Sequence, residues 1–145
     1  MLKFFGFLCV FVVIFSCNSS EKRATIIDGT KTYEVYKGSE MTTLMKAMYA
    51  YNLQLKKDIK LGKTPTEFPR EFLNIHTAEL SDSKSRNETF EQFSGQFIDA
   101  EQLVFIEDSQ LSVTERYNNA INLCLSCHKT ECTGPIPKIK KLLIK

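Results

Sequence analysis

Ser112-Val113-Thr114-Glu115-Arg116-Tyr117-Asn118-Asn119-Ala120-Ile121-Asn122-Leu123-Cys124-Leu125-Ser126-Cys127-His128 is the stretch on which the fold turns. It opens as a capping box, in which the Ser112 hydroxyl accepts from the Glu115 amide and the Glu115 side chain reaches back to the amide of Ser112. Val113, Tyr117, Ala120, Ile121, Cys124 and His128 then recur at steps of three and four, which is one stripe of an α-helix. Gly134 and Pro135 cannot easily prolong it, so the pattern predicts a helix from about residue 113 to residue 132.

The same period extends back toward the N-terminus. Phe90, Phe93, Phe97, Ala100 and Val104 predict a helix over about 88–107, preceded by a polar loop from Ser81 to Asn87. Thr64-Pro65-Thr66-Glu67 has the form of a second capping box, and Phe68, Phe72, Ile75 and Leu80 offer a partial apolar face; Pro69 moves the start of that helix toward residue 70. Ser39 as N-cap, Glu40 at the positive end of the helix dipole, and Met41, Leu44, Met45, Met48, Asn52, Leu55 and Ile59 predict a first helix over about 40–61, stopped by Gly62. Four helices, short loops and no convincing sheet predict an all-α fold, an antiparallel four-helix bundle. Beyond Pro137, the run Lys138-Ile139-Lys140-Lys141-Leu142-Leu143-Ile144 reads as a short basic amphipathic tail.

The chain has 145 residues, 19 Lys+Arg against 17 Asp+Glu and five Cys. That balance excludes disorder and a multi-domain enzyme, and it lacks the strongly basic face expected of a nucleic-acid binder. Residues 4 to 15 are uncharged and almost wholly apolar behind Lys3; the run is too short for a membrane span of about 20 residues and suits a signal-peptide core. It ends at Ile14-Phe15-Ser16-Cys17, which resembles a bacterial lipobox and implies Cys17 as a lipidated mature N-terminus. Plain secretion with cleavage near Ser16, or an uncleaved anchor, are the alternatives. The expected organisation is a signal peptide at 1–16, a lipid-anchored tether and extended segment at 17–38, and a helical domain at 39–145. Within 24–38, Asp28-Gly29 suits a hairpin turn between two short strands, with a simple extended segment as the other reading.

Cys124-Leu125-Ser126-Cys127-His128 is Cys-x-x-Cys-His, the attachment signature of a c-type haem. On a helix, positions i, i+3 and i+4 share a face, so two thiols can reach the two haem vinyl groups while the adjacent imidazole, His128, reaches the iron. Two rivals use the same residues. A redox dithiol is expected near a βαβ pattern, which is missing here; a zinc set could be drawn from Cys124, Cys127, His128 and Cys132. Export and the helical context favour one covalent haem c on Cys124 and Cys127.

A helical bundle with Cys-x-x-Cys-His near the C-terminal end of its last helix resembles the class II cytochromes c, meaning cytochrome c-prime and its six-coordinate relatives. The resemblance covers about residues 39 to 132 and draws also on Met45-Lys46-Ala47-Met48 in the first helix. It implies Met45 as the side chain facing the iron opposite His128, with Met48 in the core. After Cys132 the chain departs from the family, since a Gly-Pro break and a basic tail replace a simple helix end, and the second helix is unusually short.

In an up-down-up-down bundle the last helix ends where the first begins, which places His128 near Met41 and Met45 and brings the end of the second helix, with His76, to the same pole. His76 is therefore the rival sixth ligand. Met opposite His would raise the potential and suit electron transfer, two His would lower it, and an open iron behind apolar residues would bind NO or CO. The expected function is a lipid-anchored haem protein, not an enzyme, that passes single electrons between redox partner proteins of the bacterial envelope. A five-coordinate module for NO or CO is the alternative, and a homodimer is compatible with either. Cys132, left without a partner, is expected to be a small buried apolar residue, and the tail lysines to form a solvated face or to meet haem propionates or an acidic partner.

Overall fold

The structure is a computed structural model that describes residues 25–28, 31–34, 38–81, 83–107 and 110–145. The apolar leader and Cys17 lie outside the described residues. The chain divides into two units between Tyr36 and Lys37. The first contains an antiparallel pair, β1 (Thr25–Asp28) and β2 (Lys31–Glu34), with Thr25 opposite Glu34 and Asp28 opposite Lys31. Only two residues separate the paired ends, the spacing of a tight hairpin.

In the second unit every regular element is helical. Three helices are long: α1 (Glu40–Lys60), α2 (Glu88–Val104) and α3 (Val113–Glu131). Each starts on a side-chain cap. Ser39 accepts from the Thr42 amide, Asn87 from Phe90, and Ser112 forms with Glu115 the full reciprocal box expected from the sequence. Gly62 takes a positive φ of 75° just past α1, where a side chain would be strained, and the Lys63 amide turns back to the Asp58 carbonyl. Among the described residues, no helix is long and apolar enough to cross a membrane.

The expected second α-helix is absent as such. Residues 63–69 carry no regular structure, and a seven-residue 3-10 helix, Arg70–His76, follows with Pro69 at its N-cap and no side-chain cap. Pro65 and Pro69 lack the amide hydrogens that an α-helical turn there would need, and Pro69 forces the residue before it toward extended backbone. This leg is held by rings instead. Phe68 meets Phe72 and Phe105 edge-on at 6.1 and 6.0 Å, Phe72 meets Tyr51 at 5.4 Å and stacks near Phe97 at 6.3 Å, and the Tyr51 hydroxyl donates to the Glu67 carbonyl.

At one pole the Met41 amide donates to the Glu79 carbonyl, the Glu79 amide to the Glu40 carboxylate, and Arg86 to the Ala78 carbonyl; Lys84 and Asn87 both donate to Glu131 at the end of α3. The starts of α1 and α2 and the ends of the 3-10 leg and α3 therefore meet there.

The tail is a structural element rather than a loose appendage. After the Gly134-Pro135 break, α4 (Ile136–Ile139) and a second 3-10 turn (Lys140–Leu142) fold back against α1 and α3. Ile139 and Leu142 are buried with Leu55, Ile59, Tyr117 and Ile121. Lys56 donates to the carbonyls of Lys141 and Leu143, Asn118 exchanges two hydrogen bonds with Ile144, and the Lys138 ammonium sits 4.6 Å from the centre of the Tyr49 ring. Lys140, Lys141 and Lys145 remain exposed.

Candidate functional site

Cys124, Cys127 and His128 lie within the last two turns or so of α3, which ends at Glu131, so the helix alone sets their relative positions. All three are half-buried. Cys124 packs where the two apolar clusters of the domain meet, one built on Met41, Leu44, Met48 and Phe72 and the other on Leu55, Tyr117 and Ile121. Met45 and Leu123, also half-buried, pack against the first cluster beside it. α3 packs along its length on α2 and meets α1 at far fewer points. Cys127 and His128, half-buried, belong to neither cluster.

The His128 ring is oriented by the helix end. Its Nδ1 lies 2.9 Å from the carbonyl oxygen of Cys132. A carbonyl only accepts, so Nδ1 carries a proton, and in the neutral ring Nε2 is the nitrogen with the free lone pair. This is the arrangement in which a backbone carbonyl fixes the tautomer and the direction of a metal-binding imidazole. The carbonyl is free to accept because α3 stops at Glu131 and Cys132 turns to extended backbone, φ −158° and ψ 89°.

That turn also corrects the expectation for Cys132. Its side chain is exposed, because the residue has left the helical stripe that buries Cys124. Among the described residues no group of three or more His, Cys, Asp or Glu side chains converges as a metal-ion site, so Cys124, Cys127, His128 and Cys132 are not arranged as a four-ligand zinc set.

Both motif thiols are kept protonated. Burial, then the charges of Glu101 and Cys127, hold Cys124 far above the usual thiol range, and burial, then Glu131 and Cys132, push Cys127 up to about 11. A thiol exchanging disulfides needs its pKa lowered toward neutrality, which is the opposite shift. Addition of an S–H across a vinyl double bond forms the C–S bond and returns the proton to carbon, with no oxidant. Two thiols shifted toward the protonated form and an imidazole held at Nδ1, all on one helix, are a donor set whose chemistry fits a covalently held haem.

Of the two expected distal candidates, Met45 stands beside the cluster that holds Cys124, while Met48 is buried in the core behind it. His76 is exposed on the 3-10 leg, with its Nδ1 3.5 Å from the Ser94 hydroxyl of α2, at the limit of hydrogen bonding. An open depression of about 450 Å³ lined by Thr64, Glu107, Leu111, Ser112, Val113 and Arg116 lies at the other end of α3, away from the motif.

Three buried polar residues were not anticipated, Ser94 of α2 among them. Glu101 of α2 and Arg116 of α3 are both enclosed, at 0% and 6% exposure. The α2 stripe is Phe90, Ser94, Phe97, Ile98, Glu101 and Val104, turned from the one drawn through Phe93 and Ala100. Glu101 stands four residues after Phe97 and three before Val104, and that spacing was the signal for it. No protein family, curated protein or solved structure matches this chain.

Proposed function

We propose that this chain is a c-type haem protein that carries single electrons in the bacterial envelope, tethered to the membrane by lipid on Cys17. The observation that carries the reading is the presentation of Cys124, Cys127 and His128 on one helix, with the His128 Nδ1 proton held by the Cys132 carbonyl. Haem bound there would supply one-electron redox chemistry between two iron states. Cys124 and Cys127 would hold it through thioethers, His128 would bind the iron through Nε2, and Met45 would approach from α1.

The fold proposed beneath this is a variant of the class II cytochrome c bundle, with the 3-10 leg standing for the second helix and α3 for the last. The protein's partners on this reading are one-electron donors and acceptors of the envelope, and it performs no bond-making chemistry on a substrate.

The test is expression of the full chain with a cytochrome maturation system. Visible absorption that survives denaturation and acid-acetone extraction, and that disappears in the Cys124→Ser/Cys127→Ser double variant, is expected; loss of colour from the wild-type chain on extraction would sink the proposal. The reduced spectrum separates Met, His and open coordination. Met45→Ala changes that spectrum if Met45 is the sixth ligand, and rapid CO binding without displacement of a side chain would instead favour the gas-binding alternative.

A further inference from the structure

Glu101 is fully buried at the meeting of α1, α2 and α3, and neither of its carboxyl oxygens has a hydrogen-bond partner. The amide group of Asn52, on α1, faces it. Asn52 donates one Nδ2 hydrogen to the Met48 carbonyl, 3.2 Å away, and its Oδ1 is likewise buried and unpartnered. Against three buried acceptor oxygens stands one available donor, the second Nδ2 hydrogen of Asn52, whose pull toward the carboxylate is outweighed by burial. A proton on Glu101 removes the charge that burial opposes and adds a donor to a pocket short of them.

Among the described residues, no cation is one of the groups that shift the carboxyl. Tyr51 of α1 and Tyr117 of α3 lie close enough to feel its charge, but Tyr51 donates to the Glu67 carbonyl and Tyr117 to the carbonyls of Asn52 and Leu142. Arg116 of α3, the buried cation, directs its guanidinium to the carbonyls of Leu111 and Val104. The last neighbour is the Cys124 thiol, whose own ionisation is opposed by the charge of Glu101. Glu101 is therefore coupled through a low-dielectric core to the residue that would carry the haem, and in such a medium charges interact far more strongly than in water.

We propose that Glu101 is a buried proton-binding site coupled to the redox state of the haem tethered at Cys124. It takes up a proton from solvent when a one-electron donor reduces the site, and returns the proton when an acceptor removes the electron. The added electron makes the surroundings of the carboxyl more negative and so favours its neutral form; by reciprocity the proton favours the reduced state. The inference rests on the haem reading, whereas the protonation of Glu101 does not. Burial pushes its pKa up to about 7, in the range where a modest change in nearby charge moves a proton.

The experiment follows the infrared carbonyl band of a protonated carboxyl, shifted in D2O, in the full chain with and without haem, for wild type and Glu101→Gln. The wild-type band should be present at about pH 5, lost by about pH 9 and missing in the variant. In the haem-loaded wild type it should grow on reduction, with a midpoint potential that falls as pH rises through neutrality; Glu101→Gln should flatten that dependence. A haem-free chain with no such band at pH 5 overturns the proton site. A band that ignores reduction, with a potential that Glu101→Gln leaves unaltered, overturns the coupling. Failure of the chain to load haem removes the function reading and the coupling with it, while the haem-free band still decides whether Glu101 holds the proton.

Discussion

Tyr117 joins three parts of the chain at a single atom. At 0% exposure its hydroxyl lies 2.9 Å from the Asn52 carbonyl of α1 and 3.2 Å from the Leu142 carbonyl of the tail. Tyr117→Phe keeps the ring and leaves both carbonyls without this donor, so it should cost about 1–3 kcal/mol by chemical denaturation. A second residue-scale prediction concerns Cys132, whose exposed side chain makes no contribution to the His128 bond, since that bond is to its backbone carbonyl. Cys132→Ala should leave covalent haem loading unchanged, measured as colour retained after extraction; a zinc site built on Cys132 would instead lose its metal. That Cys124, Cys127 and His128 share one helix was legible in their spacing. The exposure of Cys132 was not, because it follows from where the helix actually ends.

Among the elements, the three long helices follow their stripes and caps closely. The fourth predicted helix, 113–132, appears as Val113–Glu131, and the third ends at Val104 rather than residue 107. Ser112→Ala removes the acceptor for the Glu115 amide at the head of α3 and should cost about 1 kcal/mol in a denaturation midpoint. The 3-10 leg shows where local reading stops: its four apolar residues suggested a helix, yet two prolines and ring packing against α1 and α2 decided its backbone. The tail is the converse. Its pattern suggested a solvated basic segment, while Ile139 and Leu142 enter the core. Leu142→Ala should therefore cost about 2–4 kcal/mol, comparable to a substitution within a long helix, rather than the small effect of a change on a loose tail.

At the scale of the whole molecule, the burial of Glu101 builds a pH dependence into the stability. Its pKa rises from about 4.5 in the unfolded chain to about 7 in the fold. The folded state thus holds a proton that the unfolded state releases, and stability should decline as pH rises from about 5 to about 7, then level off. The full difference is about 3 kcal/mol at 1.36 kcal/mol for each unit. Urea midpoints at pH 5 and pH 8 measure it, and Glu101→Gln should remove most of the decline. The sequence by itself determined the helical class, the caps and the course of the three long helices, because periodicity and capping are local properties of the chain. Only the tertiary structure decided the 3-10 form of the second leg, the burial of the tail, and the enclosure of Glu101 against Asn52 and Cys124. Those depend on which surfaces meet across the domain, and no spacing along one segment records the side chain that another segment brings to it.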